Sequence, residues 1–259
     1  MSTLRLKYGP ASNSPDGSKC ITLPQKDFTA FSPLLLGLGD ISKEGTTIPT
    51  LAVIFDLEGF TDFTNQPEPN LVLPEYLNEF LKWLFDETSS QMVNSHKDGM
   101  TYLWSPVPFY AKFLGDGILF LWDTTDCAHS HLGNIIVSMH NICTKYQRVF
   151  YPIISQAVSK APAKLRCGSA RGQVISVGNG NDFVGACINV ASRVQHLNHF
   201  SFAFSKTGFK LERDFSEGMR KKFQLIRANI RGIGEKELIF VLKQEFEALD
   251  ESEQKLLLS

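Results

Sequence analysis

The sequence is short of the features that assign a chain quickly. Cysteine is scarce: five in 259 residues, at Cys20, Cys127, Cys143, Cys167 and Cys187, with no C-x-x-C spacing. That argues against a disulfide scaffold or a zinc framework and for a reducing compartment. An excess of one charge is also missing. Lys and Arg number 26 against 27 Asp and Glu, a formal net charge of -1, so there is no electrostatic case for a nucleic-acid or membrane-surface protein. The "RKK" at Arg220–Lys222 reads as a solvated turn. No apolar run approaches the ~20 residues that span a bilayer. The opening "MSTLRLKYGPASNSPDGSKC" lacks the apolar core of a secretory signal. Internal repeats and low-complexity stretches are absent. The expectation is a cytoplasmic chain with neither nucleic acid nor membrane as partner.

What is present is an ordinary globular balance, 43% hydrophobic and 20% charged. Residues 9–20, rich in Pro, Ser, Gly and Asn, read as a flexible lead-in. Leu51–Leu57 reads as a buried central strand. A helix follows over about Leu73–Val93, with Leu73, Tyr76, Leu77, Phe80, Leu81, Leu84 and Phe85 at helical spacing and Pro74 in its first turn. Phe109–Leu114 and Ile118–Trp122 flank Gly115, Asp116 and Gly117 as a hairpin. A second long helix spans about Ala128–Phe150, its apolar face running from Leu132 to Tyr146 and Val149. Leu165–Val177 gives a strand closed by the turn Gly178–Asp182, and a helix follows over about Gly185–Leu197. Strands come next near Phe202–Ser205, Lys222–Ile230 and Glu237–Leu242, and a polar helix closes the chain from Gln244. This order predicts an α+β sandwich, ferredoxin-like, with helices on one side of a mainly antiparallel sheet. Residues 1–48 form an N-terminal extension, 49–244 one catalytic-sized domain and 245–259 a helical tail.

Two constellations carry chemistry. In "LAVIFDLEGFT" five apolar residues run into Asp56, and a carboxylate at the end of a buried strand is costly unless paired or bound to a cation. Asp116 sits in the turn of "KFLGDG", beside that strand if the hairpin pairs with it. Two carboxylates at adjacent strand ends can bind hard divalent cations, and two metals held so clamp a phosphoryl group during in-line displacement. The N–H groups of Glu58–Thr61 could cradle phosphate oxygens. The plainer alternative is a helix-capping Asp56 and a turn Asp116. In "DFVGACINVASR", Asn189 and Arg193 share a helix face at i, i+4. They could orient a sugar and neutralise developing phosphate charge, or be a surface Arg bonded to its neighbour.

Other signals read as structural. His129-x-His131 and His196-x-x-His199 have no nearby acid or cysteine in sequence and read as solvated helix-end histidines. Gly178–Gly180 does not open a helix after a strand, so it is a turn rather than a dinucleotide loop. "YLWSPVPFY" at Tyr102–Tyr110 reads as core and interface. Arg171 has no assignable role.

Together these segments resemble the class III nucleotidyl cyclases, the adenylate and guanylate cyclase family, over about Thr50–Leu242. "IFDLEGFT", "KFLGDG", "DFVGACINVASR" and "RGIGEKELIFV" are similar to four segments of that family in the same order; the "GG[DE]EF" signature of the related cyclic-dinucleotide synthases is absent. The resemblance implies that Asp56, Asp116 and the Leu57 carbonyl hold two metals, Mn2+ or Mg2+. It gives Gly59, Phe60 and Thr61 to the triphosphate, Asn189 to the ribose and Arg193 to the transition state. Lys112 and Asp182 fall at the base-reading pair of adenylate cyclases. Arg231 falls where they carry a phosphate-binding lysine. The implied enzyme is a homodimer with two shared active sites, the metal aspartates coming from one chain and the base-reading residues, Asn and Arg from the other.

The base stays open at the level of the pair. Lys112 donates and Asp182 accepts, which suits adenine, cytosine and uracil and fits guanine poorly. Two features tilt toward a pyrimidine: the chain has no room for the sensor or membrane segment usual beside bacterial adenylate cyclase domains, and "FDLEGFT" with Glu58 resembles the stand-alone pyrimidine cyclases of Pycsar antiphage systems. Phe113 and Phe183 could narrow the base pocket, or simply pack. The resemblance implies UTP, before CTP, as the nucleoside triphosphate cyclised, and a product that activates a separate effector. The alternatives are an adenylate cyclase and an inactive cyclase-fold binding module.

Overall fold

The apolar run that ends at Asp56 becomes the middle of the sheet. The structure, a computed structural model, describes residues 9–13, 15–16, 18–29, 37–66 and 69–258. In chain order the first elements are β1 (Gly9–Asn13), β2 (Lys19–Thr22), α1 (Gln25–Thr29), β3 (Thr47–Glu58), α2 (Phe60–Thr64) and α3 (Pro69–Met92). Then come β4 (Val93–Lys97), β5 (Met100–Leu103), β6 (Tyr110–Phe113), β7 (Gly117–Asp123) and α4 (His129–Lys145). A π-helical turn over Tyr146–Phe150 leads to α5 (Tyr151–Ala157), β8 (Lys164–Val177), β9 (Asp182–Val184), α6 (Ala186–Val194) and β10 (Phe202–Ser205). The chain closes with α7 (Leu211–Asp214), α8 (Glu217–Arg220), β11 (Phe223–Ile230), β12 (Gly234–Leu242), α9 (Lys243–Glu247) and α10 (Glu251–Leu258). Two compact units result: Pro49–Gln173 with Gly185–Ser259, and Met1–Ile48 with Val174–Val184.

The larger unit is built on the strand order β11-β12-β10-β8-β3-β7-β6. The β3–β7, β6–β7, β10–β12 and β11–β12 pairs are antiparallel, and β8–β10 is parallel. Side-chain alternation sorts the strands onto two faces. Leu51, Val53, Phe55 and Leu57 of β3, with Ile118, Phe120 and Trp122 of β7, join Tyr76, Phe80 and Leu84 of α3 and the buried stripe of α4 in one core. Each such side chain fully buried contributes about 1.5–3 kcal/mol. The Tyr146 hydroxyl donates to the Pro162 carbonyl oxygen at 2.5 Å, so Tyr76 donates to Tyr146 at 2.8 Å and the core closes on a satisfied polar pair. A second core holds Val194, Ala203, Ile226, Ile239, Val241 and Phe246, with Leu257 packed against it. Helices therefore cover both faces of the sheet, where the sequence predicts one. The missed signal lies in β10 and in Leu238–Leu242 of β12, where even and odd residues are both apolar.

Several local expectations change. The first long helix starts at Pro69, so Pro74 lies inside it and removes one backbone donor there. Phe85 stays 46% exposed. Val149, expected on the buried face, is 49% exposed while Phe150 is buried; the π turn adds a residue and rotates the stripe. Tyr102, Trp104, Val107 and Phe109 are half exposed rather than core. An additional hairpin, β4–β5, precedes them. Its turn is Asp98-Gly99, both with positive φ, the usual signature of a two-residue hairpin loop. The tail is two short helices. Phe246 is buried, and Glu245 accepts the Ser201 backbone N–H at 3.1 Å and its hydroxyl proton. Burial pushes the Glu245 carboxyl up, opposed by those bonds.

In the smaller unit β1 and β2 form an antiparallel hairpin. The end of β8 pairs with β9 through Ile175↔Val184, Ser176↔Phe183 and Val177↔Asp182.

Candidate active site

The β3–β7 register runs from Thr50↔Asp123 to Asp56↔Gly117. It delivers Asp56 at the end of one strand and Asp116 in the turn that opens the next. Gly117 is what permits the fit, since a Cβ there would come 2.2 Å from the Phe55 carbonyl oxygen. The Leu57 N–H donates to the Asp116 carbonyl oxygen at 3.0 Å, locking the two acid-bearing backbones together. The chain then turns at Gly59, with φ +82, into α2, and the Phe63 N–H bonds the Gly59 carbonyl oxygen at 3.0 Å. Asp56, Leu57, Gly59, Phe60, Thr61 and Asp116 thus share one end of the sheet.

Asp56 is 4% exposed, on the face of β3 opposite the α3/α4 core. Its charge is answered by a residue absent from the motif reading. Arg166, on the neighbouring strand β8, donates to Asp56 Oδ2 through Nη2 at 2.5 Å and Nε at 3.1 Å. Arg166 Nε also lies 3.9 Å from Glu58 Oε2, and Lys164 Nζ lies 3.6 Å from the same oxygen. Lys164 and Arg166 share a β8 face because they are two residues apart. Nothing local in "KLRCGS" signals the pairing; only the strand order does. The guanidinium is a cation already seated on Asp56.

Among the described residues no three His, Cys, Asp or Glu side chains gather to hold a metal. Asp56 and Asp116 nevertheless offer two hard carboxylates at that end of the sheet, donors of the kind a magnesium-like ion takes. Such ions bind one or two carboxylates and take their remaining oxygens from water and substrate phosphates.

The second group assembles on α6 and the β11–β12 loop. Cys187, Ala191 and Val194 face inward, and Asn189 and Arg193 stay exposed on the outer face. The helix lies tight on β8: a Cβ on Gly168 would meet the Ala191 carbonyl oxygen at 2.3 Å and the Gln195 nitrogen at 2.4 Å. The resulting cavity of about 360 Å³ is lined by Asn189, Ser192, Arg193, His196, Arg231, Gly232 and Ile233. Two guanidiniums and an amide converge there, a set suited to an anionic, hydroxyl-bearing ligand. Sequence separates Arg231 from Asn189 and Arg193 by some forty positions, yet all three line one wall. None of the β3-end residues lines this cavity.

Lys112 stands exposed on the edge strand β6, opposite Leu119. Asp182, in the smaller unit, opens β9, and its Oδ1 accepts the Phe183 N–H at 2.8 Å. Phe183 is buried, so packing accounts for it, while Phe113 is exposed. The histidine readings need amending. His129 Nδ1 lies 3.7 Å from the buried Asp214 carboxylate and His199 Nε2 lies 3.4 Å from Glu253, so each has an acid that sequence distance conceals. Arg171 gains a structural part by donating to the Gly208 carbonyl oxygen at 3.3 Å.

No helix among the described residues is long and apolar enough to cross a membrane. No family model matches the chain, and no curated protein matches it in sequence. Solved structures do. The guanylyl cyclase Cya2 superposes with a TM-score of 0.56 at 16% identity, over 77% of this chain and 94% of that one. The adenylyl cyclase CyaB from P. aeruginosa gives 0.53 at 14% identity, over 77% and 96%. The catalytic core of a rhodopsin-guanylyl cyclase with converted specificity, in complex with ATPαS, gives 0.50 at 17%, over 76% and 98%. The chain has the α+β fold of the adenylyl and guanylyl cyclase domains.

Proposed function

We propose that the protein is a nucleotidyl cyclase that converts a pyrimidine nucleoside triphosphate, UTP in preference to CTP, to the 3′,5′-cyclic monophosphate and pyrophosphate. The observation that carries this reading is the sorting of the motif residues into two complementary half-sites on a cyclase fold. One is an acidic end of β3 and β7; the other is a cavity with Asn189, Arg193 and Arg231. Bound divalent cations supply Lewis acidity toward the ribose 3′-hydroxyl and neutralise the triphosphate.

The chain's own residues do the rest. Asp56, Asp116 and the Leu57 carbonyl provide the hard oxygens, and Gly59, Phe60 and Thr61 offer backbone N–H groups to phosphate oxygens. Asn189 orients the ribose for in-line attack of its 3′-oxygen on the α-phosphorus. Arg193 opposes the charge that grows on the equatorial oxygens, and Arg231 holds the leaving pyrophosphate. Lys112 donates to, and Asp182 accepts from, the base edge. Uracil, through O4 and N3–H, and cytosine, through N3 and its 4-amino group, satisfy that order of donor and acceptor, as adenine does through N1 and its 6-amino group. Because no acidic-end residue lines the arginine cavity, a head-to-tail homodimer with two shared sites is the assembly this reading requires. The cyclic nucleotide serves as a second messenger to a separate effector in antiphage defence.

Subunit complementation tests it. Asp56→Ala and Arg193→Ala each abolish turnover, and a mixture that exchanges subunits regains activity because each heterodimer keeps one intact site. Mixtures that exchange subunits and stay inactive sink the shared-site reading.

A further inference from the structure

Within the smaller unit, the segment that precedes β3 grips the β8–β9 turn through contacts that leave no room for side chains. A Cβ on Gly39 would lie 2.0 Å from the Gly178 carbonyl oxygen, and one on Gly178 would lie 1.6 Å from that of Leu38. Both glycines have φ in the left-handed region, at +77 and +61. A Cβ on Gly45 would lie 2.2 Å from the Ser176 carbonyl oxygen. Polar bonds tie the same places. Thr46 N–H donates to Ser176 Oγ at 2.8 Å, Ser176 N–H donates to the Thr46 carbonyl oxygen at 2.9 Å, and the two hydroxyl oxygens are 3.1 Å apart. Asn181 Nδ2 donates to the Gly37 carbonyl oxygen at 3.3 Å.

Apolar burial does not account for this segment, since Leu38 and Ile41 remain 48% and 60% exposed. What it holds is the turn itself, at Ser176, Gly178 and Asn181. The next residue is Asp182, on a strand of only three residues. A short strand behind a turn rich in glycine has little stiffness of its own.

We propose that Gly37–Thr46 is a specificity clamp: it fixes the β8–β9 turn so that Asp182 is held ready to accept the N–H donor of the substrate base. The residues of the clamp are positioning residues, and the proposal rests on the assignment of Asp182 to the base. An acceptor fixed before binding discriminates more sharply than one that must be ordered by the ligand.

The test uses the full chain with two kinds of loosening. Gly39→Val drives the segment off the turn sterically. Thr46→Val combined with Ser176→Ala removes the hydroxyl bonds without adding bulk and carries the same test should Gly39→Val fail to fold. Two quantities are read: amide hydrogen exchange over Gly178–Val184, and equilibrium binding of α,β-methylene UTP against its N3-methyl derivative, which lacks the N–H donor. Loosening is expected to speed exchange there and to cut the preference for UTP over its N3-methyl derivative about tenfold, the order of one hydrogen bond to a charged group. Thr46→Ser with Ser176 kept should leave both at the parent values, and in an Asp182→Ala background the loss of discrimination should vanish. Faster exchange with undiminished discrimination, or the same loss without Asp182, overturns the clamp's role in specificity. If Asp182→Ala alone leaves discrimination intact, the base assignment falls and the proposal with it, while faster exchange in the loosened variants still separates that failure from a missing clamp.

Discussion

Replacing Arg166 by methionine is the sharpest probe of the acidic end of the sheet. The substitution keeps an unbranched side chain and removes the guanidinium whose Nη2 and Nε both reach Asp56 Oδ2. The carboxylate left behind is 6% exposed at its side chain. Removing one partner of a buried pair costs about 3–5 kcal/mol, because the other charge stays desolvated. Arg166 is itself 20% exposed, which places the expected cost at the low end, about 3 kcal/mol. For a domain of this size that lowers Tm by about 6–12 °C. A divalent cation offers Asp56 the positive charge it has lost, so excess MnCl2 should return at least half of the deficit while moving the parent protein little. Removing both charges, with Asp56→Asn and Arg166→Met, should bring the metal-free protein within about 1 kcal/mol of the parent. Thermal melts of the three proteins with and without manganese read all of this. A deficit in Arg166→Met that neither manganese nor the second substitution reduces would refute the view of Arg166 as the cation standing at Asp56.

Gly168→Ala should displace α6, since the new methyl would overlap the Ala191 carbonyl oxygen and the Gln195 nitrogen. A loss of about 1–3 kcal/mol in denaturant melts and a fall in kcat larger than any change in metal affinity are expected. His140 gives a pH signature. Burial, then the nearby Lys222, holds its imidazole below the ordinary histidine range, and its Nδ1 has no hydrogen-bond partner. The unfolded chain therefore binds a proton more readily. Stability is full above about pH 6.5 and declines as pH falls below it. His140→Gln should flatten that limb in melts taken between pH 5 and 7.5 (about the window in which His titrates).

The parts of the fold that sequence makes legible are those with one dominant period. β3 is a continuous apolar run, β10 is "FAFS", and the inward stripe of α4 from Leu132 to Cys143 keeps helical spacing. Where the backbone itself changes period, sequence misleads. One extra residue in the π turn sends Val149 outward and Phe150 inward. The β4–β5 hairpin carries its signal in Asp98-Gly99, but the flanking strands "VNSHK" and "MTYL" are short and exposed, so no buried face marks them in the sequence. At the candidate site, the placement of Asp56 and Asp116 at one end of the sheet is readable because one ends an apolar strand and the other lies in the turn between two more. Arg166, Lys164 and the glycine clamp over Ser176 and Gly178 are not, since each depends on which strand or loop lies beside which. The convergence of Arg231 with Asn189 and Arg193 depends on tertiary placement in the same way, joining a helix to a distant loop.

The central claim is that these half-sites make a cyclic pyrimidine nucleotide. Incubating the purified protein with MnCl2 and equimolar ATP, GTP, CTP and UTP, then resolving the products by mass, tests it directly. Cyclic UMP, or failing that cyclic CMP, with stoichiometric pyrophosphate is the expected result. Cyclic AMP alone would keep the cyclase and overturn the pyrimidine assignment, and no cyclic product from a dimeric, manganese-loaded sample would contradict the cyclase reading itself.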